Sequence, residues 1–224
     1  MQFNGIETEL TTAATDAAMG LLCTAVLVCL WRIRARDRWK TGVWICVVGL
    51  LGLASLLGAV AHGFEISDSL RSALWQPLYL SLGVTVALFV VGALYDWRGK
   101  AFARRSVPVA LVVAVGFYGA TLVSSAGFLL FVVYEGVAML AALALYVFLA
   151  VKGRLTGAAT MALAIALNIV AAGVQASDLS LQLIWTFDHN GVFHFIQMAA
   201  VLMLTRGLIA SLEPESESLG EQAT

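Results

Sequence analysis

The chain has 224 residues, of which 61% are hydrophobic and 12% are charged, and its mean hydropathy is +0.91. Soluble domains carry about 25% charged residues, so this composition excludes an ordinary soluble domain and predicts a membrane protein with several spans. The formal net charge of -1 gives no basic character of the kind that nucleic-acid binding requires. We therefore expect membrane lipid, and not nucleic acid, to be the partner.

Seven apolar stretches are each long enough to cross a bilayer as a helix, which takes about 20 residues. In chain order the predicted spans are 9–31, 41–64, 72–95, 107–124, 127–151, 157–177 and 188–210. We expect Asp96–Arg105 to be a loop, with Pro108 in the first turn of the fourth helix. The predicted fold is thus all-α, with one seven-helix transmembrane domain over 1–212 and an acidic, disordered tail over 213–224.

The basic residues indicate an orientation. If the chain crosses seven times, twelve of its thirteen Lys and Arg residues lie on one side and only Arg71 lies on the other. The twelve are Arg32, Arg34, Arg36, Arg38, Lys40, Arg98, Lys100, Arg104, Arg105, Lys152, Arg154 and Arg206. The positive-inside rule then predicts that the N-terminus is outside and the C-terminus is cytoplasmic. The expected location is the plasma membrane, which is the inner membrane if the source is bacterial.

The chain has three histidines, and all are predicted at the same membrane face. His62 lies near the end of the second span, whereas His189 and His194 lie near the start of the seventh. Polar residues inside lipid are costly, so they tend to mark function. Three histidines brought to one place are first a metal-site hypothesis. The alternative for His194 is a structural hydrogen bond between helices.

Other polar residues inside the spans also cluster in the predicted outer halves. Asp16 in the first span needs a partner, a proton or water, and Ser55 shares a helix face with His62 because it lies two turns before it. We expect Asn168 and Tyr118 to be the partners of Glu135. The remaining polar candidates are Gln175, Asn190 and Gln197. Because the inner halves hold almost nothing polar, the pattern predicts a cavity that opens toward the outside or the outer leaflet.

The start of the seventh span resembles a known motif. The segment 187–197 reads FDHNGVFHFIQ, which is similar to the histidine-containing entry of helix 7 in alkaline ceramidases. With one histidine at the outer end of helix 2, the chain resembles the CREST superfamily, which includes the alkaline ceramidases, the progestin and adipoQ receptors and the Per1-like proteins. The resemblance implies a seven-helix fold in which zinc, held by one helix 2 histidine and two helix 7 histidines, activates water against a lipid amide or ester.

The resemblance implies roles for individual residues. His62, His194 and His189 would hold the zinc, and Asp16 and Ser55 would serve catalysis. The family spacing on helix 7 is His-x-x-x-His, whereas here the two histidines are five residues apart. Aligning the family glycine with Gly191 puts Asn190 at the first ligand position, so either His189 or Asn190 occupies it. The family serine four residues before the helix 2 histidine is Gly58 here, so Ser55 would act from one turn earlier.

The leading hypothesis is a zinc-dependent membrane hydrolase, similar to a ceramidase, that acts on an acyl-lipid amide or ester at the outer face. The alternative is a non-catalytic seven-helix protein that binds lipid or another ligand and lacks the metal, which Asn190 at a ligand position favours. A third possibility is a transporter in which Glu135 and Asn168 form a proton or cation site.

Overall fold

The computed structural model describes residues 2–124 and 126–213 of the chain. Within them it has seven helices, which are α1 (Glu7–Ile33), α2 (Arg38–Gly63), α3 (Asp68–Arg98), α4 (Lys100–Val123), α5 (Gly127–Val151), α6 (Ala158–Gln175) and α7 (His189–Ala210). A short hairpin of β1 (Leu181–Gln182) and β2 (Thr186–Phe187) precedes α7. All seven helices are long and apolar enough to cross a membrane. This confirms the predicted all-α fold and places a membrane-length helix at each of the seven predicted spans.

Short polar side chains cap the start of three helices. The carboxylate of Asp37 accepts hydrogen bonds from the backbone of Trp39 and Lys40 at the start of α2. Asp188 accepts one from Gly191 at the start of α7, and Ser67 plays the same part before α3. Such caps satisfy backbone N–H groups that have no partner within the helix, so each helix begins at a defined residue.

The predicted loop Asp96–Arg105 is wrong. α3 continues to Arg98, α4 begins at Lys100, and Pro108 lies inside α4. The break is Gly99 alone, with φ +80°, a left-handed conformation that glycine adopts without the clash of a Cβ. The apolar pattern gives the length of the apolar segment of each helix, whereas the helices themselves extend further through charged residues.

Six helices surround the centre of the bundle. In the order α1, α2, α3, α5, α6 and α7 each packs against the next, and α7 closes on α1. α4 lies outside this ring against α3 and α5, and its buried residues are only Ala103, Ala114 and Phe117. The interior is therefore formed by the six ring helices.

The two ends of the bundle differ in chemistry. We call the end at which α1 and α7 begin and α2 ends the histidine end, because His62, His189 and His194 lie near it. The opposite end, at which α2 begins and α3 ends, is the basic end. Glu213, the last described residue, lies 3.9 Å from Arg36 at the basic end, and the remainder of the predicted acidic tail lies outside the described residues.

A buried ion pair at the basic end corrects a second prediction. Lys40 Nζ lies 2.6 Å from Asp96 Oδ1, and their side chains are 3% and 1% exposed. The hydroxyl of Tyr146 donates to Asp96, and Lys40 donates to Ser211. These four residues, the basic-end clasp, connect α2, α3, α5 and the end of α7. The prediction that this half holds almost nothing polar is wrong, because Lys40 and Asp96 lie at span boundaries and resemble loop residues in the sequence.

Two short segments cover the histidine end. Near the N-terminus, Phe3 pairs with Phe64 in an isolated β-bridge, and the side chain of Asn4 donates to the carbonyl of His62. The β1–β2 hairpin is held to α1 by a 2.9 Å hydrogen bond from Thr11 to the carbonyl of Thr186. These contacts bring α1, α2 and the start of α7 together around the predicted site.

Candidate functional site at the histidine end

A cavity of about 450 Å³ lies between the six ring helices, which is within the size range of sites for small molecules. Its body is lined by apolar side chains such as Leu82, Val86, Phe131 and Met139. All ten residues singled out in the sequence line this one cavity. They are Asp16, Ser55, His62, Glu135, Asn168, Gln175, His189, Asn190, His194 and Gln197. The structure thus brings the candidates together, and their chemical roles stay predictions.

Asp16 of α1 and His194 of α7 face each other at the polar end of the cavity. Oδ1 of Asp16 lies 3.2 Å from Nε2 of His194, and the two residues are only 5% and 8% exposed. On the other side of the ring, Nδ1 of His194 lies 2.9 Å from the hydroxyl oxygen of Thr15. Both ring nitrogens therefore have a polar partner, which fixes the orientation of the imidazole.

The hydroxyl hydrogen of Thr15 determines what lies between Asp16 and His194. The Thr15 oxygen is 2.9 Å from both the carbonyl of Thr12 and Nδ1 of His194, and its single hydrogen serves one of them. When Thr15 donates to His194, Nε2 carries a hydrogen and donates to Asp16. When Thr15 donates to Thr12, Nδ1 carries the hydrogen and a bare Nε2 faces the carboxyl oxygen. That second arrangement requires a proton or a metal cation between Asp16 and His194.

Gly58 of α2 makes room for the Asp16 carboxylate. A Cβ atom at this position would lie 2.6 Å from Oδ2 of Asp16 and 3.0 Å from its Cγ, which is closer than such atoms approach. The carboxylate therefore packs directly against the α2 backbone. Gly58 is the position at which the resemblance leads one to expect a serine, and the close approach of Asp16 is the physical reason for the glycine.

His62 forms a second pair of histidine and carboxylate. Its Nδ1 atom lies 2.7 Å from Oε2 of Glu9 on α1, and its ring lies edge-on against Trp75 of α3. A carboxylate at Nδ1 favours the tautomer that leaves Nε2 free as an acceptor or a metal ligand. Glu9 thus orients the His62 ring. Its position in the first turn of α1 is otherwise typical of a residue that only complements the helix dipole.

The start of α7 is tied to its neighbours through Asp188. Its Oδ1 atom accepts hydrogen bonds from Thr12 at 2.8 Å and from the backbone of Gly191 at 2.9 Å. Burial raises the pKa of the Asp188 carboxyl, but the hydrogen bonds from Gly191 and Thr12 outweigh burial, so its pKa lies below the ordinary value for aspartate. The carboxylate therefore stays charged at neutral pH and fixes the start of α7 against α1.

Asn190 has a structural part at the start of α7. Its side-chain oxygen accepts a hydrogen bond from Gln175 of α6 at 3.4 Å, and its side-chain nitrogen donates to Asp188. His189 is the first residue of α7 and also lines the cavity. Since the Asn190 side chain is already engaged, His189 is the better candidate of the two for a metal ligand.

Glu135 and Asn168 meet deeper in the cavity. The side-chain nitrogen of Asn168 donates to Oε1 of Glu135 at 3.1 Å. This confirms Asn168 as one of the two expected partners, whereas among the described residues no hydrogen bond joins Tyr118 to Glu135. Ser55 and Gln197 line the same cavity, and neither side chain has a hydrogen bond to another described residue. Polar groups of a ligand are thus able to reach both of these side chains.

The donor atoms at the histidine end fit zinc in kind. Zinc takes imidazole and carboxylate ligands at about 2.0–2.1 Å, which places neighbouring ligand atoms roughly 3.3 Å apart. The separation of 3.2 Å between Asp16 and His194 matches this spacing. Within residues 2–124 and 126–213, however, no three His, Cys, Asp or Glu side chains converge on one point. The arrangement therefore supplies two adjacent donors, with His62 and His189 as candidates for the third.

Sequence reasoning missed several residues of the site. Thr15, Glu9 and Gly58 each contact a predicted residue directly. Thr15 lies one residue before Asp16, and Gly58 lies four before His62, so proximity in sequence was the available signal. Trp75 had no signal, because an aromatic residue near the end of a span is common at membrane interfaces.

Comparison with known proteins adds a family. No curated protein and no solved structure matches the chain, and the resemblance to the CREST superfamily stays a prediction. A family of unknown function, DUF6962, matches residues 11–213, a range that contains all seven predicted spans except the first two residues of the first. The chain therefore belongs to DUF6962, a family of unknown function.

Proposed function

We propose that this protein is a membrane hydrolase that cleaves the amide or ester bond of an acyl lipid at the histidine end of its cavity. The observation that supports this function is the composition of that cavity. Its body is apolar, which suits a hydrocarbon chain, whereas His62, His194 and Asp16 line its polar end. A chain bound in the apolar part would present its headgroup linkage to these side chains.

The pair of Asp16 and His194 is suited to proton transfer. The carboxylate oxygen of Asp16 that does not face His194 would take a proton from water and return it to the leaving group, and such catalysis contributes about 10²–10⁴-fold in rate. Thr15 holds the His194 ring from the other side, so that Nε2 keeps its direction toward Asp16. Ser55 lines the same cavity and is the proposed hydrogen-bond donor to the lipid carbonyl oxygen.

Zinc is the proposed cofactor, with His194, Asp16 and His62 as its ligands and His189 as the further candidate. When bound, the ion would supply a water of lowered pKa and would polarise the lipid carbonyl. Glu9 would then act as the outer partner that orients His62. Removal of such an outer partner typically costs about 10–100-fold in metal affinity.

The proposed orientation places the histidine end outside and the basic end in the cytoplasm. The sorting of twelve of thirteen basic residues supports it. The lipid would then enter from the outer leaflet of the plasma membrane, which is the inner membrane if the source is bacterial.

A second candidate function is a binding protein that holds an acyl lipid without cleaving it. Two observations favour it. No three metal donors converge among the described residues, and Asn190, at one of the two candidate positions for the first helix 7 ligand, is engaged by Gln175 and Asp188. The cavity itself would serve either function equally well.

The experiment compares wild-type protein with His194→Ala after purification without added zinc. Zinc content is measured by mass spectrometry, and fatty-acid release is measured from one lipid amide and one lipid ester in vesicles. We expect the wild type to contain zinc and release fatty acid, and His194→Ala to lose both. Gly116→Ala is the control, because a Cβ there meets nothing within 4 Å. Wild-type protein that binds lipid without metal and without cleavage would establish the binding function instead.

A further inference from the structure

A second set of polar side chains lines the otherwise apolar body of the cavity. Glu135 is eight residues from the start of α5, which is about 12 Å along the helix axis. Gln197 lies three residues beyond His194 on α7, about 4.5 Å further from the histidine end. With Asn168 of α6, these residues line the cavity at similar depth on three successive ring helices, and we call them the deep polar group.

The deep polar group is only partly satisfied by the protein. Glu135 is 8% exposed, and Asn168 donates a single hydrogen bond to its Oε1 atom. The amide of Gln197 has no hydrogen bond to another described side chain, although it lines the cavity. The surrounding lining is apolar and includes Val86, Phe131, Met139, Ile165 and Val201. Several hydrogen-bonding positions therefore face a space with apolar walls.

These positions need a partner from the ligand. Polar groups buried without a hydrogen bond are costly. An unsubstituted hydrocarbon chain in the cavity would cover the deep polar group and exclude water from it. None of the described lining residues is a lysine or an arginine, so no permanently charged cation of the lining pairs with Glu135. A ligand with a polar substituent at this depth would remove the cost.

The donor and acceptor pattern indicates which substituent fits. Asn168 and Gln197 each offer N–H donors and a carbonyl acceptor, and Glu135 offers an acceptor oxygen. An ammonium group only donates, whereas a hydroxyl group both donates and accepts. Because the deep polar group presents both donors and acceptors, it favours a hydroxyl group over an ammonium group.

We propose that the cavity selects a lipid whose hydrocarbon chain carries a hydroxyl group, bound by Glu135, Asn168 and Gln197. This inference rests on the proposed function in that the ligand is an acyl lipid with its headgroup linkage at the histidine end. A site that hydrogen-bonds a ligand hydroxyl discriminates strongly against the analogue without it, because its own polar groups are then left unpaired.

The test measures binding and needs no hydrolysis. Purified protein in detergent is loaded with a fluorescent fatty acid, which is displaced by stearic acid or by monohydroxystearic acids that differ only in the position of the hydroxyl. We expect one position to bind at least about tenfold more tightly than stearic acid, with weaker binding when the hydroxyl is moved to either side. Equal affinity for stearic acid and all of its hydroxylated forms would overturn the inference.

Substitutions assign the preference to the deep polar group. Asn168→Leu and Gln197→Leu should each reduce the preference to less than about twofold while stearic acid binds as well as before or better, a result that a misfolded protein does not give. Gly173→Ala on α6 is the control, since a Cβ there meets nothing within 4 Å. A preference that survives both substitutions would contradict the assignment. Wild-type protein that prefers one hydroxylated chain but releases no fatty acid would sink the hydrolase proposal and leave this inference standing.

Discussion

At the scale of single residues, the site depends on how closely Asp16 approaches its neighbours. The carboxylate lies against Gly58 on one side and His194 on the other. The cost of polar groups in lipid was enough to select Asp16 and His194 from the sequence. Their pairing was not predictable, because one sequence gives the depth of a residue along its own helix but not the rotation or neighbours of that helix.

Gly58→Ala tests this close approach. The added Cβ would displace the carboxylate of Asp16 from His194, so we expect fatty-acid release and zinc content to fall by at least about tenfold, since a small misplacement of a catalytic group is costly. The free energy of unfolding should fall by about 1–3 kcal/mol, the usual cost of overpacking.

The matched control is Gly42→Ala on the same helix, where a Cβ meets nothing within 4 Å. Gly42→Ala should leave fatty-acid release and zinc content as in the wild type. If Gly58→Ala retains full zinc content and release, the position of Asp16 does not matter to the reaction.

At the scale of helices, the sequence correctly placed the start of α7 at the site, but it did not identify the residue that fixes this helix. The segment from Phe187 to Gln197 was singled out for its two histidines, and both line the cavity. Asp188, which the sequence analysis left out, is the residue that fixes the helix, because it caps α7 and binds Thr12 of α1. An Asp before a helix is a recognised capping signal, whereas its bond to α1 depends on tertiary packing.

The capping carboxylate predicts a pH dependence of stability. The pKa of Asp188 is lower in the folded protein than the ordinary value of about 3.9. The ionised Asp188 carboxylate therefore contributes its full share of the folding stability above about pH 4, and this share is lost as the pH falls through the pKa of the folded state. We expect the wild type to be about 0.3–1 kcal/mol more stable than Asp188→Asn at neutral pH, and this difference to disappear in stronger acid.

Thermal unfolding in detergent at neutral and acidic pH measures this difference. Asp178→Asn, which changes a carboxyl on the exposed loop before β1, should unfold like the wild type at each pH. A difference between wild type and Asp188→Asn that is the same at every pH would show that the charge of Asp188 does not contribute.

At the scale of the whole molecule, hydropathy predicted the number of helices but not their arrangement. The seven spans follow from the length needed to cross a bilayer, and the structure has a helix at each of them. The position of α4 outside the ring was not predictable, because a lipid-facing helix and a ring helix are equally apolar along their length. The basic-end clasp was missed because Lys40 and Asp96 lie where an apolar pattern ends.

The basic-end clasp predicts a large and non-additive effect on stability. Lys40→Met or Asp96→Leu alone leaves one buried charge without its partner, and we expect each to lower the free energy of unfolding by about 3–5 kcal/mol. The double variant removes both charges and should be more stable than either single variant. Chemical unfolding of the three variants in detergent measures the coupling, and a double variant as unstable as the sum of the singles would show that the ion pair does not couple the helices.

The central claim is that Asp16 and His194 act together on an acyl lipid bound in the cavity. The most direct measurement is the rate of fatty-acid release by purified wild-type protein and by Asp16→Asn, which keeps the shape of the side chain but removes its negative charge. We expect the wild type to release fatty acid and Asp16→Asn to be slower by about 10²–10⁴-fold, with lipid binding unchanged. Release at the wild-type rate by Asp16→Asn, or no release by the wild type, would contradict the claim.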